Sequence, residues 1–293
     1  RDWEALLDRI IELREQERWD LRFTIQVDTL CHKLPRFIEK CARAGVRRCF
    51  IGLENINPDS LAGAKKRQNK ITDYREMMLA WKRAKIITVG GYILGFPNDT
   101  PASIVRDIKI IQQELPIDML EFFLLTPLPG SEDHKTLHTQ RVTMDPDLNK
   151  YDLDHVTVAH PTMSKAEWER AYELAWTTYY SWDHIETLMR RAAATGNNIS
   201  RILNYALYFK GYHPIEHVHP LEGGVLRLKG RHERRPHLAV EPVWSFYPRY
   251  VAETAVKAVR WAKLAARLRR LARKIKADPH RLAYMDQALT PVV

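Results

Sequence analysis

A chain of 293 residues with 45% hydrophobic and 28% charged residues has an ordinary globular composition. At that length folding buries roughly 75% of the unfolded surface, which removes any need for disulfide staples. No apolar run approaches the ~20 residues of a membrane span, and the charged start R-D-W-E-A-L-L-D-R-I is an amphipathic helix, not a signal peptide; a cytoplasmic setting is expected.

The first 130 residues alternate helix and strand. Apolar residues at Leu6, Leu7, Ile10, Ile11 and Leu13 set a helical rhythm over Trp3–Glu17. Arg22–Val27 reads as a short strand and Leu34–Ala44 as a helix stopped at Gly45. Arg48–Leu53 is a strand, and Asn57-Pro58-Asp59 opens a short helical turn. Thr72–Lys85 is a helix with Thr72 as N-cap. Ile87–Leu94 is a strand, Pro101–Glu114 a helix capped by Thr100, and Met119–Leu125 the last strand. Strands separated by helices at this spacing predict right-handed βαβ units and a parallel sheet.

The alternation stops after Gly130. Residues 131–162 read as an irregular polar cover containing His134, His138, His155 and His160. Ser164–Arg191 reads as one long helix, opened by a capping box of Ser164 and Glu167. Its aromatic residues Trp168, Tyr172, Trp176, Tyr179 and Tyr180 recur at helical spacing and suit core packing. Ile199–Phe209 is another helix, 211–248 is irregular, and a final helix runs from about Val251 to Lys276.

Chemistry concentrates at the strand ends. C-F-I-G-L-E at 49–54, I-T-V-G-G-Y-I-L-G-F-P-N-D-T at 87–100 and F-F-L-L-T-P-L-P-G at 122–130 each run from a buried strand into a polar or glycine- and proline-rich turn. Three such turns fall on the carboxyl-end face of a parallel sheet, where ligands bind. Glu54 can accept two hydrogen bonds from a diol, or it can pair with Arg22 or Arg48. Gly91 and Gly95 allow close backbone approach to a flat ligand, or they bend a strand. Ile93 between them can face that ligand or the core. Gln26 and Asp28 end the first strand, at a ligand or at a surface turn.

The three cysteines, Cys31, Cys41 and Cys49, match neither a zinc nor a thioredoxin spacing. The loop with His213, His217, His219, His232 and His237 is rich in potential metal ligands, but Pro214 and Pro220 break any helical frame, so no metal site is assigned. G-x-G-x-x-G is absent, which leaves a Rossmann nucleotide site without support.

The segments F-I-G-L-E-N-I-N-P-D-S-L (50–61), K-K-R-Q-N-K (65–70), G-Y-I-L-G-F-P-N-D-T (91–100) and L-T-P-L-P-G-S (125–131) together resemble the radical S-adenosylmethionine (radical SAM) superfamily, in its cobalamin-binding-domain branch. The resemblance covers roughly residues 1–140 and implies the fold class: α/β, a partial (β/α) radical-SAM-type barrel of about four parallel strands, followed by a mostly α-helical C-terminal extension. The expected division is 1–140 barrel, 141–250 helical and irregular extension, and 251–293 basic helix and tail. The resemblance implies S-adenosyl-L-methionine at Glu54, Gly91, Ile93, Gly95, Thr126, Pro127, Gln26 and Asp28. It implies a [4Fe–4S] cluster whose C-x3-C-x2-C ligands are not in this chain, and cobalamin on a domain also outside it. The chain therefore reads as the C-terminal portion of a longer radical SAM enzyme, inactive by itself, acting on an organic substrate by methylation or by lipid or pigment modification. The alternative is a cluster-less barrel remnant that serves as a scaffold.

Charge gathers at the end. Lys257–Lys276 holds nine basic residues and no acid, around an apolar stripe of Trp261, Leu264, Leu268, Leu271 and Ile275. This pattern predicts contact with an anionic membrane surface, peripheral at its inner face, unless the stripe docks on its own domain. No recognition motif supports nucleic acid.

Overall fold

The computed structural model describes residues 2–57 and 71–292. Four parallel strands form one sheet in sequential order: β1 (Phe23–Val27), β2 (Val46–Glu54), β3 (Ile87–Leu94) and β4 (Met119–Leu124). α1 (Asp2–Glu15) precedes β1, and α2 (Phe37–Ala44), α3 (Ile71–Arg83) and α4 (Pro101–Glu114) lie between the strands. The architecture is therefore α/β, with a parallel sheet followed by a helical extension.

Register assigns the two faces. Gln26 pairs with Phe50, Gly52 with Gly91, Gly91 with Glu121 and Ile93 with Phe123. Alternation then places Gln26, Phe50, Gly52, Gly91, Ile93, Glu121 and Phe123 on one face. The other face carries Ile51, Leu53, Tyr92, Leu94, Phe122 and Leu124, all nearly inaccessible, and packs on the helices. Both faces of β3 and β4 are largely buried, as the continuous apolar runs predicted.

Several local expectations are met for the expected reasons. Gly45 ends α2 in the left-handed conformation, φ 98°, and Thr100 caps α4 in a capping box with Ser103. Others are corrected. α2 starts at Phe37, not Leu34, because Arg36 ahead of it is left-handed. Thr72 lies inside α3 instead of capping it. The 131–162 cover contains α5 (Glu132–Thr139), capped by Ser131 with Glu132 and Asp133 in its first turn. The expected long helix is two, α6 (Lys165–Tyr179) and α7 (Trp182–Ala194), because Ser181 supplies a new N-cap to His184 N. α8 spans Ile199–Gly211, and α9 spans Val243–Ala277 with Pro248 inside its second turn. The turn expected at Asn57-Pro58-Asp59 and the basic stretch 65–70 lie outside the described residues, apart from Asn57.

The apolar stripe of α9 turns inward. Trp261, Leu268 and Ile275 are buried, and Leu264 and Leu271 pack against the core. The Trp261 indole fills the space beside Gly211, where a Cβ would come within 2.3 Å. Its Nε1 donates to Glu216, which also accepts from Lys257 and from the backbone of Leu226 and Arg227.

Candidate active site

β2 ends in a left-handed turn: Glu54 has φ 59°, and a register shift separates Gly52 from Glu54. The turn folds the Glu54 carboxylate back over Gly52, where a Cβ would lie 3.9 Å from Oε1 and, among the described residues, meet nothing else. Asn55 fixes the turn from beneath. It is buried, and its Oδ1 accepts from Asn57 N at 2.7 Å and from Tyr92 Oη at 3.3 Å. Neither Arg22 nor Arg48 pairs with Glu54. Arg22 pairs with Asp20 at 2.8 Å, and Arg48 sits six residues back along β2, about 20 Å away. Both arginines instead line a hollow of about 460 Å³ at the amino end of the strands, with Arg47, Arg201 and Tyr205.

The floor beside Glu54 is apolar. Phe50 and Phe123 meet edge to face at 6.5 Å, and half-exposed Ile93 continues the surface toward the carboxyl end. Gly91 lies beneath the two phenyl rings: a Cβ there would come 2.7 Å from Phe50 and 3.2 Å from Phe123. Its missing side chain thus admits two aromatic rings of this chain.

The β3 turn is braced by groups with no local signature in the sequence. Gly95 is left-handed, φ 103°, and a Cβ would overlap the Trp168 indole at 1.8 Å. Buried Asp99 accepts from the amides of Gly95 at 2.9 Å and Phe96 at 3.0 Å. His160 Nε2 donates to Phe96 O while its Nδ1 accepts from the amides of Thr162 and Met163, which fixes a neutral tautomer. Thr162 donates to Asp99 O. The turn is therefore preformed by α6 and the segment before it.

At β4, Leu125 N donates to Leu94 O, Thr126 Oγ1 donates to Leu124 O, and Pro127 is buried. Gln26 is exposed on the same sheet face, and Asp28 is exposed at the end of β1 with Oδ1 accepting from Leu30 N. Of the expected residues, Gln26, Glu54, Gly91 and Ile93 share one face. Gly95, Thr126, Pro127 and Asp28 form turns at its carboxyl edge.

Glu121 was not expected. It points from β4 into this face, is buried, and its Oε2 has no hydrogen-bond partner among the described residues. Burial raises its carboxyl to about 7, opposed by the nearby Arg48 guanidinium. The only hint in the sequence is one acid within the apolar run M-L-E-F-F-L.

The cysteines are all buried. Burial raises Cys31 to about 11, Cys41 to about 12 and Cys49 well above its ordinary value. They are neutral thiols spread over a 3-10 turn, a helix and a strand, and do not fit the thiolate set an iron–sulfur cluster requires. Among the described residues no group of three or more histidine, cysteine or acidic side chains could hold a metal ion. His213 stacks on Trp176 at 5.9 Å, and His219 bonds to Phe122 O at 2.9 Å.

No protein-family model matches the chain. Over 121 residues it is 31% identical to the bacteriochlorophyllide d C-12(1)-methyltransferase of Chlorobaculum tepidum, which covers 41% of this chain and 26% of that protein. The chain thus matches about a quarter of that relative's length. Two solved structures are similar at a lower level. TsrM from Kitasatospora setae, a radical S-adenosylmethionine methyltransferase with cobalamin and a [4Fe–4S] cluster bound, aligns at 16% identity with a TM-score of 0.44, covering 69% of this chain and 48% of that one. OxsB, a cobalamin-dependent S-adenosylmethionine radical enzyme, aligns at 12% identity with a TM-score of 0.41, covering 97% and 47%. TM-scores below 0.5 do not establish a shared fold.

Proposed function

We propose that this chain forms the S-adenosylmethionine-binding portion of a radical SAM methyltransferase, with cluster and cobalamin held outside it. The observation that carries the reading is the Glu54 carboxylate, held by a left-handed turn over Gly52 beside an apolar floor. The partial relative with a methyltransferase name supports it, as do the four sequence motifs, three of which lie at a strand end.

When bound, S-adenosylmethionine supplies the transferable methyl group. Glu54 accepts hydrogen bonds from its ribose hydroxyls. Ile93 and the phenyl rings of Phe50 and Phe123 offer apolar surface to the adenine. The backbone at Gly95 and at Thr126–Pro127 borders that surface, and Gln26 and Asp28 flank the opposite side. The Gly91 backbone stays beneath the phenyl rings and supports them. Glu121, raised by burial to about 7, is close to half protonated under the floor at neutral pH. The cysteines of this chain contribute no ligand to the cluster, and no step is assigned to it here.

The test is equilibrium dialysis of S-adenosylmethionine against the wild-type chain and Glu54→Ala. Loss of a charged acceptor for two hydroxyls costs about 1.5–3 kcal/mol, roughly ten- to a hundredfold in affinity. An unchanged dissociation constant, or no binding by the wild type, contradicts the proposal.

A further inference from the structure

The inward turn of the Trp261–Ile275 stripe leaves the opposite side of α9 without a partner. That side is not uniformly polar. Trp244, Tyr247, Val251, Ala255, Ala258, Ala262 and Ala266 follow one another at intervals of three or four, so they form a single line, and every one of them is exposed. Trp244 is 79% exposed and Val251 64%. Arg269, Arg273 and Lys276 continue the same line at the same intervals, all exposed, with Arg270 on its flank. The helix contains one acid, Glu253, set on the far side and within 3.7 Å of Arg249. Arg249 also pairs with Glu241 at 2.6 Å, and Lys257 with Glu216. The charges along the exposed line are therefore positive and, among the described residues, without carboxylate partners; Lys276 donates to Ser200 Oγ at 2.7 Å.

We infer that this outward face of α9 docks the protein on an anionic lipid surface. A line that is aromatic and aliphatic over its first two thirds and cationic over its last third fits an interface where side chains enter the headgroup region beside negative charge. Trp244 and Tyr247 are the residue types that settle at headgroup level. The helix is 35 residues long, about 52 Å of rigid edge. Among the described residues no helix is long and apolar enough to cross a membrane, so the contact is peripheral. The apolar part comes from Trp244, Tyr247 and Val251, and not from Trp261 and the leucines expected from the sequence.

The experiment is co-sedimentation with vesicles of phosphatidylcholine alone and of phosphatidylcholine mixed with phosphatidylglycerol. It compares the wild-type chain, a Trp244→Ser/Val251→Ser variant and an Arg269→Gln/Arg273→Gln variant. All four side chains are exposed, and an unchanged thermal melt verifies folding; a variant that melts earlier is replaced by Trp244→Ser or Arg273→Gln alone. The expected result is binding only to the phosphatidylglycerol vesicles, weakened about tenfold or more in each variant and falling as salt rises. Equal binding to both vesicles, no binding, or binding untouched by the substitutions overturns the inference. So does lipid-free self-association that Trp244→Ser abolishes, which would assign the face to a second copy of this chain.

Discussion

Glu121 faces Gly91 across one register pair and is the most consequential residue that its sequence does not announce. An acid inside an apolar strand run gives no sign of which face is open or whether a cation reaches it. Its titration is nonetheless predictable. Burial raises the carboxyl from about 4.5 to about 7, so the fold prefers the protonated form. Its contribution to stability is fully present below about pH 4.5 and is lost as pH rises through 7. Glu121→Gln keeps a neutral side chain at every pH and removes that loss. The variant should gain on the wild type between pH 5 and pH 8 by up to about 3 kcal/mol. Urea unfolding at the two pH values measures it, and parallel pH dependences would disprove the protonated form. That Glu54 ends β2 and that Ile93 shares a face with Gly91 were legible because the end of an apolar run and strand parity are local properties. The need for glycine at 95 was legible only as an alternative, since the Trp168 ring that enforces it comes from a distant helix.

At the scale of elements, apolar runs and caps located all four strands and the helices between them. The missed division of the long aromatic helix has a plain cause: hydrophobic rhythm continues where a polar cap intervenes. Aromatic spacing runs through Tyr180 and Ser181, although the serine starts a new helix. The Ser131 cap with its two following acids was equally readable and marks α5. Pro248 argued for a break but sits early in α9. The outer edge of β4 is closed by groups no periodicity reveals. Tyr180 Oη accepts from Leu120 N at 3.0 Å and donates to Leu120 O at 2.8 Å, Phe122 O takes His219, and Leu124 N donates to Leu153 O. An unpaired sheet edge invites association. Tyr180→Phe strips two of these bonds from a buried edge and should cost about 1–3 kcal/mol by urea denaturation. A change within a few tenths would mean that water or a shifted neighbour replaces the hydroxyl.

Across the whole molecule, the βα alternation made the α/β class and the parallel sheet legible, because both follow from the order of short elements. The closing of the face by Phe50 and Phe123, and the route of the 211–242 segment, depend on tertiary packing and were not. The chain presents a candidate ligand face, and its three cysteines do not form a cluster-binding set. Anaerobic reconstitution with iron and sulfide should therefore leave the isolated chain without a stoichiometric cluster, because its three thiols are buried and protonated. Stoichiometric iron and sulfide after desalting would refute this. The central claim, that the carboxyl ends of the strands bind S-adenosylmethionine, is tested most directly by hydrogen–deuterium exchange with and without that ligand. The account predicts slower exchange in residues 52–56, 93–96 and 125–127, with 199–211 and 243–277 unchanged. Exchange unaltered at those three turns, or slowed only at the arginine-lined amino end around 22–24 and 47–48, would contradict it.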